Sequence, residues 1–301
     1  MSKIVLITHP TDLTSFNATY LEPILDKYFT VVYYDRDLKY PKSSVAIVGK
    51  TNNNWYTKLN TKIAIVNLWE KDKQRTNFPC FNIANKNWFW YNESLWYKKN
   101  GYDLYIPNKQ YTHTAFMQMR LQKPNRDKLL NKLQPYLDNM IYSYVAKGIY
   151  LPKDLPHDLD TLTGNFQRNF NPLWYDNTYY SIVAETHIDD TTIFPTEKTF
   201  KPIAFLHPFM ILGQFKILSY IKSLGFATFD NLFDESYDNV KNYNLRIDNI
   251  VENVKNFILE SYSKETVDKL NHNKELFFNQ KIVEQRIVNE IINPLIEYAE
   301  T

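Results

Sequence analysis

The chain has 301 residues, of which 44% are hydrophobic and 23% charged, a globular composition with room for two ordinary domains or one large one. Its formal net charge of +2 gives no strong electrostatic case for binding nucleic acid, so we do not expect a nucleic-acid partner. The one cysteine, Cys80, excludes an internal disulfide framework and is typical of a reducing compartment.

The beginning of the sequence carries a short apolar run rather than a targeting segment. Residues 4–7 are apolar, but the run is too short for a signal peptide, and we interpret it as a first strand. No stretch of the sequence approaches the length of a membrane span. We therefore expect no membrane span and a cytoplasmic location.

The first part of the chain alternates between short apolar runs and helical spacing. Residues 17–28 place Tyr20, Leu21, Ile24 and Leu25 on one helix face, and a helix is also expected over residues 93–99. The predicted strands are residues 4–7, 30–34, 44–48 and 62–68. Strands separated by helical segments predict an α/β layer with a mostly parallel sheet.

A second α/β region follows, and we place the boundary so that the domains are residues 1–115 and 116–301. Pro124 precedes an apolar helical face that includes Leu129 and Leu133, and Gly225 ends a predicted helix over residues 216–224. Residues 151–176 contain three prolines and predict a loop. Further strands are predicted at residues 140–144, 180–184 and 208–212, and helices form the C-terminal tail.

The most informative stretch joins two of these strands. The apolar run 180–184 ends in Glu185, and Thr196, Glu197 and Lys198 open a helix before the next apolar run, which closes with Gly213. A helix N-terminus just beyond a strand can accept an anion on its N–H groups. Since Lys198 and Lys201 add positive charge, the pattern indicates a phosphate site.

Each of these residues also has a simpler interpretation. Arg126, near the start of a predicted helix, offers a planar fork suited to phosphate oxygens, but it also fits a solvated basic face. Glu185 is equally a loop acid, and Glu197 is favourable at a helix start without any ligand. Lys198 is the unusual residue there, and a bound diphosphate accounts for it.

The segment from Glu185 to Gly213 resembles the donor-binding region of the family 10 α-1,3-fucosyltransferases. The likeness rests on the acid at the strand end, the block Phe194-Pro195-Thr196-Glu197-Lys198, and the strand that ends in glycine. Asn125-Arg126, at the head of a leucine-rich helix, is similar to the family's upstream arginine. The block 225–238 is closer to phage-encoded relatives of that family, and Thr199-Phe200-Lys201-Pro202 departs from the family's small residues.

The resemblance implies an α/β fold of the GT-B type, with two Rossmann-like domains and here a helical C-terminal tail. Residues 1–115 would form the acceptor side and residues 116–301 would bind the nucleotide sugar, which is GDP-fucose in the family. Arg126 and Lys198 would hold the diphosphate, and Glu185 and Glu197 would hold sugar or ribose hydroxyls. The family's inverting reaction needs a carboxylate base from the first domain, for which Glu70 is the best placed residue and Asp72 the second.

No cofactor and no metal are expected. The six histidines are scattered, and neither a dinucleotide-binding glycine motif nor a P-loop is present. Asp35-Arg36-Asp37 resembles the acidic metal motif of another glycosyltransferase class, but three-residue acidic matches are common by chance.

The sequence thus predicts an inverting, metal-independent glycosyltransferase. It would take a sugar, which is fucose in the resembled family, from a nucleoside-diphosphate sugar to the hydroxyl of a glycan or another acceptor. The alternatives are a catalytically silent binding or scaffold protein with the same fold, and a transferase acting on modified DNA bases.

Overall fold

The computed structural model describes residues 4–8, 18–42, 44–48, 59–67, 81–84, 87–151, 171–188 and 193–301. The chain divides into two compact units, Met1–Lys99 with Asn279–Thr301, and Asn100–Phe278. The predicted boundary between residues 115 and 116 falls inside a strand of the second unit, and the last helices belong to the first unit.

The first unit is built on a five-stranded sheet in which all strands are parallel, in the order β2-β1-β3-β4-β5. The strands are β1 (Ile4–Thr8), β2 (Phe29–Tyr33), β3 (Val45–Val48), β4 (Lys62–Asn67) and β5 (Phe81–Ala84). The helices α1 (Ala18–Tyr28) and α2 (Trp88–Lys99) belong to the same unit. Ile7, Ala46 and Ile63 from three neighbouring strands form its core.

The C-terminal residues complete this first unit. They form α9 (Gln280–Ile287), a π-helical turn (Val288–Ile292) and α10 (Asn293–Glu300). Lys62 Nζ donates to the carbonyl oxygens of Tyr298 (3.1 Å) and Ala299 (2.8 Å). The Arg286 guanidinium lies 5.0 Å from the centre of the Trp90 ring. Side-chain contacts of this kind fix the tail to β4 and α2.

The second unit carries a four-stranded parallel sheet in the order β7-β6-β8-β9. Its strands are β6 (His113–Met119), β7 (Met140–Tyr144), β8 (Thr178–Ala184) and β9 (Phe209–Leu212). Its helices are α3 (Pro124–Leu133), α4 (Pro172–Asp176), α5 (Glu197–Ala204), α6 (Ile217–Ser223), α7 (Tyr243–Asn256) and α8 (Lys264–Phe278). All four residues of β9 are buried, as expected for a strand covered on both faces.

The predicted fold class is confirmed: two Rossmann-like α/β units, each with a parallel sheet, and a helical C-terminal end. The predicted strand 140–144 is observed with the same bounds, and α6 ends before Gly225, whose φ is 100°. The loop predicted over residues 151–176 is wrong at its end, where Pro172 takes the first position of α4 and the Asn171 side chain caps it. Residues 152–170 lie outside the described part of the chain.

Candidate functional site

The candidate site lies at the carboxyl edge of the second sheet, where β6 and β8 are neighbours although β7 lies between them in sequence. From β6 the chain passes to β7 on one side, and β8 then lies on the other side of β6. The strand order therefore reverses between β6 and β8. Open α/β sheets bind ligands beyond the carboxyl ends of their strands at such a point. The residues that follow Met119 and Ala184 are therefore the candidates for binding a ligand.

Arg126 bridges the ends of these two strands. It is the third residue of α3 and is only 2% exposed. Its Nη1 donates to the Leu121 carbonyl (3.0 Å), and its Nη2 donates to the carbonyls of Ala184 (3.1 Å) and Glu185 (3.5 Å). Burial lowers the pKa of the Arg126 guanidinium, and the carboxylates of Glu185 and Glu197 oppose that shift. The arginine fastens the loop after β6 to the end of β8.

Glu185 is fully buried and its carboxylate is saturated by the chain itself. Oε1 accepts hydrogen bonds from Thr196 N (2.9 Å) and Thr199 Oγ1 (2.8 Å). Oε2 accepts from Thr196 Oγ1 (2.6 Å) and Thr186 N (3.2 Å). A carboxylate offers about four lone-pair positions, and all are used here. Glu185 therefore fixes the start of α5 against the end of β8.

Glu197 and Lys198 form an ion pair at the start of α5, with Lys198 Nζ 2.6 Å from Glu197 Oε1. Burial raises the pKa of the Glu197 carboxyl, but Lys198 and Lys201 outweigh it, so the net shift is downward. Lys198 Nζ also donates to Thr196 Oγ1 (3.1 Å) and Thr186 Oγ1 (3.3 Å). Its side chain is 22% exposed, so the ammonium remains within reach of solvent.

The structure thus brings together the four residues predicted to bind a donor. Arg126 and Lys198 both donate to atoms of residues 184–186, although they come from helices more than 70 residues apart in sequence. Glu70, the predicted base, and Asp72 lie outside the described residues. The functional roles of all six stay predictions.

Lys123 is a residue of this edge that the sequence did not single out individually. Its Nζ donates to the carbonyl of Thr186 at 2.5 Å, beside Lys198. Among the described residues that meet at this strand end, cationic side chains outnumber carboxylates: Lys123, Arg126, Lys198 and Lys201 lie against Glu185 and Glu197. The edge is therefore suited to an anion.

Arg246, a second buried arginine, was missed by sequence reasoning. It is the fourth residue of α7, and its Nη2 donates to the carbonyls of Ile188 (2.8 Å) and Gly213 (3.0 Å). It holds the end of β9 much as Arg126 holds the end of β8. An arginine near a helix start that Asn242 caps was the only sequence signal for this role, and that pattern is common on solvated helices.

Gln214 is an unusual polar residue at the same edge. It follows Gly213 directly after β9, is 1% exposed, and neither atom of its side-chain amide has a hydrogen-bond partner among the described residues. Buried polar atoms are almost always paired, so each exception needs a reason. An amide at a strand end supplies one donor and one acceptor group for a ligand.

A small cavity of about 30 Å³ lies beneath α5. Lys198, Lys201 and Pro202 of the helix line it together with Phe116, Gln118 and residues 181–184 of the sheet. A space of this size holds about one water molecule.

No group of three or more possible metal ligands comes together in the described part of the chain. Asp35 and Asp37 of the acidic motif lie in an exposed turn, where Asp35 Oδ1 accepts a hydrogen bond from Asp37 N at 2.9 Å. No helix in the described ranges has both the length and the apolar character needed to cross a membrane.

Comparison with models of protein families finds none that matches, and comparison with curated proteins finds no match either. Among solved structures, the chain is similar to a crystal structure of an alpha1,3-fucosyltransferase, at 11% sequence identity and a TM-score of 0.45. That alignment covers 94% of this chain and 90% of the other. The likeness is distant, and neither a donor nor an acceptor follows from it.

Proposed function

We propose that the protein is a glycosyltransferase that transfers a sugar from a nucleoside-diphosphate sugar to an acceptor hydroxyl, with inversion and without a metal. The observation that carries the proposal is the convergence of Arg126 and Lys198 on residues 184–186, at the point where the strand order of the second sheet reverses. Sheets of this kind bind nucleotides there, and the local excess of cations fits a diphosphate.

The contacts divide the four predicted donor-binding residues into two pairs. Arg126 and Glu185 are buried and hydrogen-bonded within the chain, so they stabilise the conformation of the carboxyl edge. The positive charge of Arg126 acts on a bound diphosphate without direct contact. Lys198 is partly exposed and forms an ion pair with Glu197. When the donor binds, its diphosphate replaces the Glu197 carboxylate as the partner of the Lys198 ammonium. The released carboxylate then accepts hydrogen bonds from sugar or ribose hydroxyls, and Lys123 faces the same phosphates.

This arrangement supports a metal-free reaction in chemical terms. When the sugar–phosphate bond breaks, negative charge develops on the leaving diphosphate, and fixed cations that face it lower the barrier. The acceptor hydroxyl must lose a proton, for which Glu70 is proposed as the general base. A glycan hydroxyl is the proposed acceptor, and GDP-fucose is the first donor to test because of the sequence resemblance.

The proposal is tested by thermal shift with GDP-, UDP-, ADP- and TDP-sugars, since a ligand that binds only the native state raises Tm. Lys198→Ala should weaken binding of the best donor at least tenfold through loss of a charge-assisted hydrogen bond worth about 1.5–3 kcal/mol. Lys222→Ala is the matched control, because Lys222 also pairs with a glutamate, Glu235, at 2.9 Å but lies away from the site.

Activity is measured separately from binding. Glu70→Gln should retain the thermal shift and lose sugar transfer. A protein that binds no sugar nucleotide, or one for which Lys198→Ala and Lys222→Ala behave alike, contradicts the proposal. Binding with no transfer to any acceptor, in the presence of Glu70, would favour the silent scaffold.

A further inference from the structure

A second and larger cavity lies in the second unit, at the amino edge of its four-stranded sheet. Its volume is about 420 Å³, within the range typical of small-molecule sites. One wall is the segment before β6, with Tyr105, Ile106 and Tyr111, and the facing wall is α8. This cavity shares no lining residue with the small one beneath α5.

The helical wall presents one face of α8 to the cavity. Val267, Leu270, Asn271 and Lys274 are spaced by three and four residues, which places them side by side on one stripe. Leu270 is buried at the base, while Val267 is 42% exposed at the mouth. The opposite rim carries Ile106, which is 83% exposed. The cavity thus opens to solvent between two apolar rims.

Its aromatic walls are held in place by contacts with each other and with residues outside the cavity. The Tyr111 ring stacks on Tyr179 with 4.0 Å between centroids, and it meets the Tyr262 ring edge-on at 5.5 Å. The Tyr262 hydroxyl donates to the Tyr179 carbonyl, and the Tyr105 hydroxyl donates to the Asp176 carboxylate. Rings fixed in this way form a preorganised surface for a flat apolar body.

Two lysines line this apolar space without a carboxylate partner. Lys109 Nζ donates to the carbonyl of Tyr175 at 2.8 Å, and Lys274 Nζ donates to the carbonyl of Tyr105 at 2.5 Å. Within the described ranges neither lysine has an acidic side chain at ion-pair distance. Each ammonium has three donor positions, so both retain capacity for an anion. Burial lowers the pKa of Lys109 to about 8, and the charge of Asp176 opposes this shift without cancelling it.

The backbone is strained at this cavity. Tyr111 and Leu206 line it with φ values of 48° and 49°, and they are two of the three non-glycine residues with positive φ in the described part of the chain. The left-handed conformation is sterically unfavourable for such residues. Strain of this kind clusters where a binding surface must keep a particular shape.

We propose that this cavity binds a small molecule with a flat apolar body and one anionic group, a carboxylate or a phosphate. The apolar body lies with the Tyr111 and Tyr262 rings on one side and Leu270 on the other, and the anionic group is held by Lys109 and Lys274. The site is separate from the proposed donor site and does not depend on it.

The test uses two probes of nearly equal shape, 2-naphthoate and its neutral analogue 2-naphthamide, in isothermal titration calorimetry with the full chain. The anion should bind at least tenfold more tightly than the amide. Lys109→Met and Lys274→Met should each reduce that preference about tenfold, as expected for loss of a charge-assisted contact, and leave naphthamide binding unchanged. Lys222→Met, at an exposed ion pair elsewhere in the unit, is the control.

A steric pair of variants tests the position of the ligand. Val267→Trp should fill the mouth of the cavity and abolish binding of both probes, whereas Val267→Ala should retain it. Circular dichroism checks that each variant is folded, and if Lys274→Met is not, Lys109→Met decides the charge test alone. Equal affinity for the two probes, no heat at millimolar concentration, or naphthoate binding that survives Val267→Trp overturns the proposal.

Discussion

The two edges of the second sheet treat their charged side chains in opposite ways. At the carboxyl edge, the Glu185 carboxylate accepts four hydrogen bonds from the chain, and Lys198 is paired with Glu197. At the amino edge, Lys109 and Lys274 donate to backbone carbonyls and have no carboxylate at ion-pair distance in the described ranges. An anion that binds Lys198 at the carboxyl edge must therefore displace an existing ion pair. An anion at the amino edge instead meets two ammonium groups that, within the described residues, have no ion pair to lose.

The largest effect is expected from removing the carboxylate that organises the carboxyl edge. Glu185→Ala leaves Thr196 N and the Thr199 hydroxyl without their acceptor and removes the charge that faces Arg126. Because deleting one partner of a buried charged network is strongly destabilising, the free energy of unfolding should fall by about 3–5 kcal/mol. Urea denaturation measures the change.

The matched control for this variant is Glu252→Ala, which removes an exposed glutamate paired with Lys255 at 3.0 Å. We expect no measurable change in its Tm, because exposed ion pairs contribute little. If the two variants were equally stable, the bonds around Glu185 would not be holding the edge.

A smaller effect is expected from acid, through a buried histidine at the amino edge of the same sheet. His207 is fully buried between Ser181 Oγ (2.7 Å) and the Thr178 carbonyl (2.8 Å), and burial holds its pKa well below 6.5. The unfolded chain binds a proton near pH 6.5 and the native one does not, so stability is lost as the pH falls below that value. The loss should be about 1.4 kcal/mol per pH unit.

Urea denaturation between pH 7 and 5 measures this loss, and His207→Gln provides the comparison because it removes the titrating group. The variant should show a shallower dependence on pH than the wild type over this range. Parallel profiles would mean that the pKa of His207 is the same in the native and unfolded states.

The smallest effect is expected at the amino edge, where we expect a substitution to increase the stability of the protein. Since the pKa of Lys109 is lowered to about 8 by burial, its protonated form disfavours folding at neutral pH. Lys109→Met should therefore raise the free energy of unfolding by about 1 kcal/mol at pH 7. The wild type gains stability as the pH rises above about 8, so the advantage of the variant should shrink there.

Chemical denaturation at pH 7 and pH 9.5 tests this prediction, with Lys264→Met, at a side chain 92% exposed, as a control that should change neither value. A variant that is less stable than the wild type at pH 7 would show that other groups stabilise the buried charge of Lys109. The two edges would then not differ in how their charged side chains are paired.

The carboxyl edge was largely readable from the sequence because its parts are local. The apolar run that ends in Glu185 formed β8, and Thr196 capped α5 where the acidic and basic residues begin. Strand β6 was missed because only Thr114 and Phe116 of its seven residues are strong strand formers. The segment is a strand because it lies between β7 and β8. Its neighbours, not its composition, decide its structure.

The amino-edge cavity could not be predicted, since its walls come from segments far apart in sequence. Tyr105 and Lys109 precede β6, Leu206 precedes β9, and Lys274 lies near the end of α8. None of these residues belongs to a motif, and the left-handed conformations of Tyr111 and Leu206 have no sequence signal, because such residues normally avoid positive φ. Only tertiary packing brings the two lysines to one space.

The return of Asn279–Thr301 to the first unit has a consequence for biosynthesis. Residues 100–278 are contiguous, so that unit can fold as soon as it has left the ribosome. The other unit lacks the contacts that Lys62 and Trp90 make with residues 279–301 until those residues have been translated. The unit that contains residues 1–99 is therefore completed only after residues 100–278 have been synthesised.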